Sequence, residues 1–372
     1  MLDGYFNYYS RIADGWWERR SFMGAWLRMM AADRRWTPPY RPHLAAALRS
    51  GRAPHVDRQQ PAFIWLEALP GKPNYSGTLS HRQLSSALME QPVATALLLA
   101  DPRRHDGTAT LALLHCANDV ESLERLLTVA FEQAWQRGRS RLVGPVSLSP
   151  YLGQGALISH YNEYPPLYTP YQAPYLPEVL ESIMARGPGS RLYHVVPTVL
   201  PNDGPAVLRR LTTDDHATVL PRLLSGAADG DFPAPDGIEA QFLLDWWQVA
   251  PLTGVVAEVN GAVVGVALLQ ADLASALRLA KGAANPLWRL WFNWRRTRRA
   301  RQGRLLALVV APEQRRRGIG VQIWRAALAL AQAQGWASLT VGPVADGSLG
   351  AAFLMTQGAT ARQHYRLYVA EG

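Results

Sequence analysis

Cysteine is almost absent from this 372-residue chain, and so is lysine. Cys116 stands alone, and Lys72 and Lys281 are the two lysines among 38 basic residues. One cysteine excludes a disulfide framework and a cysteine-based zinc site, and no metal is expected. Cys116 falls in LALLHCAND, at the expected end of a strand, where a buried inert thiol is the reading. No run of eighteen apolar residues occurs, so no membrane-spanning helix is expected. The opening MLDGYFNYYSRIADGWW lacks the layout of a secretory signal, which points to the cytoplasm. The shortage of lysine is explained more cheaply by a GC-rich genome than by function. With 48% apolar residues the chain reads as globular, and its length predicts two domains.

What is present is distributed unevenly. The formal charge is +9, and residues 281–304 hold Lys281, Arg289, Arg295, Arg296, Arg298, Arg299, Arg301 and Arg304 with no acid among them. The most informative stretch follows directly, Leu305–Leu328, LLALVVAPEQRRRGIGVQIWRAAL. Six apolar residues predict a buried strand; Pro312 and the run Arg315-Arg316-Arg317-Gly318-Ile319-Gly320 predict a tight basic turn; the remainder has helical apolar spacing. The first amide N–H groups of such a helix have no helical acceptor, and with the helix dipole they favour an anion. Gly318 and Gly320 let the backbone take positive φ or approach a pyrophosphate closely. A dinucleotide fingerprint would need glycine where Ile323 stands, and no Gly-Lys-Ser/Thr phosphate loop follows. A plain tight corner with solvated arginines is the competing reading.

A strand, then Val-x-Pro-Glu, then Arg-x-x-Gly-x-Gly, resembles the acetyl-CoA loop of the GNAT N-acetyltransferase superfamily. The resemblance implies an acyl-CoA co-substrate, acetyl-CoA by default, held by Leu308, Val309, Val310, Arg315, Arg316, Arg317, Gly318, Ile319, Gly320 and Val321. It further implies that pantetheine lies in a V between two splayed strands, with Val310 N–H polarising the thioester carbonyl.

The chain also repeats itself. AFEQAWQRGRSRLVGPV at 130–146 and ALALAQAQGWASLTVGPV at 327–344 each predict a helix, a glycine and a strand into Gly-Pro-Val. Met184–Gly187 before RLYHVV matches Met355–Gly358 before HYRLYV. The expected architecture is α/β with mixed sheets: two tandem GNAT-like domains, 1–200 degenerate and 201–372 cofactor-binding, divided at Val196–Pro205 (VPTVLPNDGP). In the first half CAND replaces the glycine loop, and Asp119 and Glu121 would repel a pyrophosphate. In the second, Asn260-Gly261 predicts a type I′ hairpin between Thr253–Asn260 and Ala262–Gln270. The arrangement from about Trp36 is similar to tandem bacterial GNAT-like proteins, on Trp36-Thr-Pro-Pro39, Gly144-Pro145, Pro165-Pro166, Tyr171-x-x-Pro174-Tyr175 and Gly358-Ala359 with Tyr365-Arg-Leu-Tyr368.

Amine acylation needs a proton acceptor and a donor to the departing thiolate. Many members of the family place a glutamate on the cofactor strand and a tyrosine four residues before the helix-ending glycine. Here the strand is LLALVV, and Leu354 holds the second position. Asp272 and Asp346 are the candidate catalytic residues, each with helix capping as its competing role. The acceptor is expected to be a small-molecule or peptide amine, and a non-catalytic acyl-CoA sensor is the alternative. Tyr161–Tyr175, with five tyrosines among prolines, predicts an aromatic wall that either faces a substrate or packs between the halves. In the basic insertion Leu287, Leu290, Trp291 and Trp294 fall on one helical face. Contact with a membrane or other anionic surface through 281–304 is one reading of it. Folding over its own domain, with the charge recruiting an anionic substrate or the CoA phosphates, is the favoured one. Nucleic acid is not expected as a partner.

Overall fold

A computed structural model describes residues 7–13, 16–49, 51, 53–69, 91–225, 231–296 and 300–372. The first half runs β1 (Asn7–Ala13), α1 (Trp16–Met30), α2 (Arg41–Ala47), α3 (Pro54–Asp57), β2 (Ala62–Leu69), β3 (Gln91–Leu99) and β4 (Thr108–Cys116). It continues through α4 (Val120–Trp135), β5 (Arg141–Val146), β6 (Ala156–Leu157), α5 (Leu176–Glu181) and β7 (Ala185–Val195). The second half opens with β8 (Val207–Arg210), α6 (Thr213–Thr218), α7 (Leu220–Leu224), α8 (Gly237–Trp247), β9 (Leu252–Val259) and β10 (Ala262–Ala271). Then come α9 (Ala274–Leu279), α10 (Pro286–Arg295), β11 (Gln302–Val310), α11 (Ile319–Ala333), β12 (Ser338–Ala345), α12 (Leu349–Thr356) and β13 (Thr360–Glu371).

The strands join in one mixed sheet of order β1-β2-β3-β4-β5-β13-β7-β12-β11-β10-β9-β8, with β6 paired to β13. The final strand of each half crosses into the other. β13 lies against β5, Tyr368 opposite Gly144, and β7 lies against β12, Tyr193 opposite Val341. The two exchanged strands pair with each other, Tyr365 opposite Ser190. This explains why β7 begins at Ala185, ahead of the glycine that the repeat suggested as a helix end: β13 holds Ala185 and Arg186 in the ladder through Val369 and Tyr368.

The core follows the same plan. α4 covers one half of a sheet face over Leu111, Leu142 and Tyr368, and α11 covers the other over Ala267, Leu305 and Leu339. The opposite face is shared. Phe22, Trp26 and Trp36 of the first half and Leu243, Trp246 and Trp247 of α8 belong to one continuous apolar cluster with Leu192 and Tyr365. The repeated Gly144-Pro145 and Gly342-Pro343 bonds are both cis. The hairpin is as read: Asn260 and Gly261 have φ of 53° and 76°, the positive pair that a type I′ turn requires.

One expectation is corrected. Of the expected face of helix α10, Leu287, Leu290, Trp291 and Trp294, only Trp291 packs on the domain. Phe292 is the buried anchor, with Trp288 and Trp291 partly buried against the cluster around Leu277. Leu287, Leu290 and Trp294 point outward, 79%, 71% and 52% exposed. Arg298 and Arg299 lie outside the described residues.

His115 on β4 is buried, its Nδ1 has no hydrogen-bond partner, and burial pushes its pKa down to about 4 against a weaker opposing effect of Asp33. Its unfolded value is near 6.5, so below that pH the unfolded chain takes up a proton that the folded chain refuses. The stability contributed by the neutral ring is complete above about pH 6.5 and is lost as pH falls toward 4, by up to ~3 kcal/mol. Melting temperatures between about pH 7.5 and 4.5 should therefore fall less steeply for His115→Gln than for the native chain. Parallel profiles would show that His115 is not a source of the acid sensitivity.

Candidate functional site

The site grows from a failure of strand pairing. β11 and β12 run parallel and pair from Gln302/Ser338 to Leu305/Val341, and there the pairing stops. On the other side of β11 the register slips: Leu269 opposes Leu305 but Leu268 opposes Ala307, leaving Leu306 as a bulge. A bulge bends its strand, and β11 turns away from β12. The V inferred from the resemblance is thus formed by Leu306–Val310 on one arm and Gly342–Ala345 on the other. At its apex the buried Arg304 donates from Nη2 to Gly342 O at 2.5 Å.

Backbone alternation decides which groups of the β11 arm face the V. Ala311 N donates to Val264 O on the β10 side, and Val309 O lies close to Gly265 on that side too. In an antiparallel ladder hydrogen-bonding direction alternates, so Leu308 and Val310 present N–H and C=O toward the V. Of the three residues expected to line the cofactor, Leu308 and Val310 turn their polar backbone groups to the V, whereas those of Val309 serve β10 and its side chain is buried. Arg315 Nε donates to Val310 O at 3.1 Å, tying the basic loop to the same arm.

The loop has the form of an anion cradle. Gly318 is the N-cap of α11, at φ 82°, a left-handed conformation that any side chain would strain, and no side chain caps the helix. The first helical bond, from Gln322 N to Gly318 O, leaves the N–H groups of Ile319, Gly320 and Val321 ahead of it without a helical acceptor. Ile319 is buried and anchors the turn, whereas Arg315, Arg316 and Arg317 are exposed. Gly320 is the informative glycine. A Cβ there would meet Val310 Cγ2 at 3.9 Å, ordinary contact, so the fold itself does not require glycine. A ligand lying against that backbone would.

The equivalent corner of the first half is closed. Asp119 caps α4 with its own carboxylate, accepting Glu121 N at 3.3 Å, Ser122 N at 3.0 Å and Ser122 Oγ at 2.5 Å. The donors that could hold an anion are spent within the chain. Beyond it, Leu113, Leu114, Trp26, Trp36, Tyr168 and Tyr171 line a mainly apolar, partly open pocket of about 110 Å³. The tyrosine-rich segment is pinned there: Tyr171 O–H donates to Asp33 at 2.5 Å and Tyr175 O–H to Cys116 O at 2.9 Å. Cys116 itself is buried, its thiol pushed up to about 12 by burial first and Asp119 second.

The two candidate acids separate. Asp272 is corrected as a catalytic residue. Its carboxylate accepts Ala274 N at 2.8 Å and Leu167 N at 3.2 Å, and its backbone N donates to Gln302 O, at the closed end of β11. It holds the first N–H of α9 and ties the halves together, about 20 Å along the strand from Leu308. Asp346 ends the β12 arm of the V. It does not cap the next helix, because Ser348 Oγ accepts Ala351 N at 3.2 Å and fills that role. Asp346 forms an ion pair with Arg191, Oδ1 2.9 Å from Nε, both side chains 41% exposed.

The structure adds residues beyond the two candidate acids. His364 opposes Arg191 across β13 and β7, beside Asp346, and its backbone N donates to Ser159 Oγ at 3.1 Å. Ser159 Oγ is 2.9 Å from His160 Nδ1, and the two imidazole rings lie 6.4 Å apart. The His364 pKa is lowered, by desolvation first and by Arg191 next, with Asp346 opposing and His160 adding to the decrease. A neutral imidazole near pH 7 is the form that accepts a proton. Leu354, by contrast, is buried, leaving no proton donor at that position. Among the described residues no cluster of His, Cys, Asp or Glu could hold a metal ion.

Residues 223–354 match the acetyltransferase (GNAT) family. No curated protein sequence matches the chain. Among solved structures, a tandem GNAT protein from the clavulanic acid biosynthesis pathway is 15% identical, with TM-score 0.55, over 99% of this chain and 98% of that one. A GCN5-related N-acetyltransferase from Sphaerobacter thermophilus is 10% identical, with TM-score 0.51, over 98% and 95%. A GCN5-related glucosamine N-acetyltransferase region in a fungal multi-domain β-N-acetylglucosaminidase is 14% identical, with TM-score 0.54, over 98% of this chain and 38% of that one. Across its length the chain has the mixed-sheet fold of the tandem GNAT structure, as expected from its sequence, and the match to the GNAT acetyltransferase family lies in residues 223–354.

Gly320→Ala separates ligand from fold. Removing a flexible residue where the Cβ has room should raise stability by about 0.5 kcal/mol while weakening CoA binding. Calorimetric titration with CoA beside thermal melts reads both. Unchanged affinity would mean that no ligand approaches this backbone.

Proposed function

We propose that the chain is an N-acyltransferase that moves an acyl group, acetyl by default, from acyl-CoA to an amine. The observation that carries the reading is the meeting of an unpaired strand edge, Leu308 and Val310, with an uncapped helix N-terminus whose Gly320 leaves room that the fold does not need. The residues suit the co-substrate. Ile319–Val321 N–H groups and the Arg315–Arg317 guanidiniums would hold the pyrophosphate and nearby phosphate, and the open edge of β11 would pair with the amide-bearing pantetheine arm. Acyl-CoA supplies the activated thioester.

This chain's part is to bind, orient and move protons. Val310 N–H points into the V, where a carbonyl that gains negative charge would accept it. The attacking amine must lose a proton. His364, held neutral beside Asp346 and Arg191, is the proposed acceptor, directly or through His160 or water. The new C–N bond forms as the C–S bond breaks, and the departing thiolate takes a proton from solvent or from the protonated histidine. In this reading the first half supplies Ser159, His160 and Arg191 beside His364 and Asp346 and has no cofactor role of its own.

Binding and kinetics both test the reading. Acetyl-CoA should bind with a stoichiometry of one per chain, and Gly320→Glu should abolish binding by placing a carboxylate among the phosphates. Replacing Arg315, Arg316 and Arg317 together by alanine should weaken binding at least about tenfold, since charge-assisted bonds are each worth about 1.5–3 kcal/mol. Asp119→Lys should leave affinity unchanged; two CoA per chain would overturn the assignment. With an amine that supports thiol release, kcat/KM should rise with pH through a midpoint below the ordinary histidine value of about 6.5, and His364→Gln should remove that limb. Binding without thiol release across a broad amine panel would instead favour a sensor, the reading suggested by Leu354 and by the absence of an acid on β11.

A further inference from the structure

Helix α10 is held to the body by Phe292 and by the partly buried Trp288 and Trp291, while Leu287, Leu290 and Trp294 form an outward stripe at i, i+3 and i+7. Two leucines more than 70% exposed, with a half-exposed tryptophan beside them, are costly to leave in water. The same stretch of chain carries Lys281, Arg289, Arg295, Arg296 and Arg301, and residues 281–304 contain no acid. Arg289 and Arg296 are turned toward the body, donating to Ala283 O and Val249 O at 3.4 Å each. The result is an apolar crest on basic shoulders, and that pattern selects among partners.

A second copy of the chain would bring like charges together at the contact. A nucleic acid would satisfy the arginines and leave the leucines without a role. An anionic bilayer meets both requirements at once, since lipid chains take up Leu287, Leu290 and Trp294 while headgroup phosphates pair with the basic rim. We infer that α10 and its basic flanks dock this protein on membranes rich in anionic lipid. The patch is separate from the acyl-CoA site: α10 precedes the start of β11 at Gln302, whereas the loop follows its end at Val310, about 30 Å away along the strand. The charge therefore serves a surface of its own, and the inference stands independently of the acyltransferase reading.

Flotation of the full chain with vesicles of phosphatidylcholine alone, and with about one quarter phosphatidylglycerol added, tests it. Binding is expected to the mixed vesicles and not to the neutral ones, and to weaken as salt rises. The variant Leu287→Ser/Leu290→Ser/Trp294→Ser changes exposed side chains, so its melting temperature and CoA titration should match the native chain, while its partitioning falls by about tenfold or more. Failure to float with either vesicle would overturn the inference. So would undiminished flotation of the variant, which would leave a purely electrostatic contact, or preferential binding of double-stranded DNA over the mixed vesicles.

Discussion

Strands β7 and β13 run antiparallel down the middle of the sheet, each carried there by the opposite half. The pairing completes both halves at once. Without β7, β12 has no partner on that side; without β13, neither has β5. It also places Arg191, from the first half, across from His364, from the second. Because Phe22 and Trp36 share a cluster with Trp246 and Trp247, the apolar core is closed by both halves as well. A single half would expose an unpaired strand edge that only a second copy could cover. Doubling within one chain replaces an assembly that depends on concentration with one that does not.

The parts of the molecule written in local spacing were legible in the sequence. Alternation, Asn260-Gly261 and the run from Leu305 to Leu328 specify the hairpin, β11, the turn and α11, because each depends on neighbours a few residues away. The repeat also carried the architecture. The exchange of β7 and β13 was not legible, since pairing of Tyr365 with Ser190 joins residues 175 positions apart by contacts that no local pattern encodes. The first half's lack of a phosphate loop could be read because Asp119 acts on its immediate neighbours. The distinction between Asp272 and Asp346 could not. Both precede short helices, and only the fold shows that Asp272 reaches Leu167 of the other half while Ser348 frees Asp346 from capping.

Helix α10 shows how far periodicity reaches. Its sequence has two apolar stripes, Trp288 with Phe292 and Leu287 with Leu290 and Trp294, and spacing alone does not rank them. Tertiary packing decides: Phe292 fits among Leu277, Ala280 and Ala283, and stacks on Tyr40 of the first half at 5.6 Å between ring centroids. The inward stripe is the one that touches both halves. A similar logic holds at the apex of the V, where the buried Arg304 has its pKa lowered by burial, the field of Asp272 opposing. Arg304 braces the closed part of β11 against β12, so the arms diverge from a fixed point.

The solitary Cys116 acquires a meaning beyond its packing. A reaction that liberates CoA sets a free thiol loose beside the protein with every turnover, and an accessible low-pKa cysteine would be drawn into mixed disulfides with it under mild oxidation. Cys116 is buried, its sulfur held in the protonated state with a pKa near 12. The chain is thereby redox-silent toward its proposed product. A thiol-reactive chromophore added to the folded protein would count released CoA against almost no background from the protein itself.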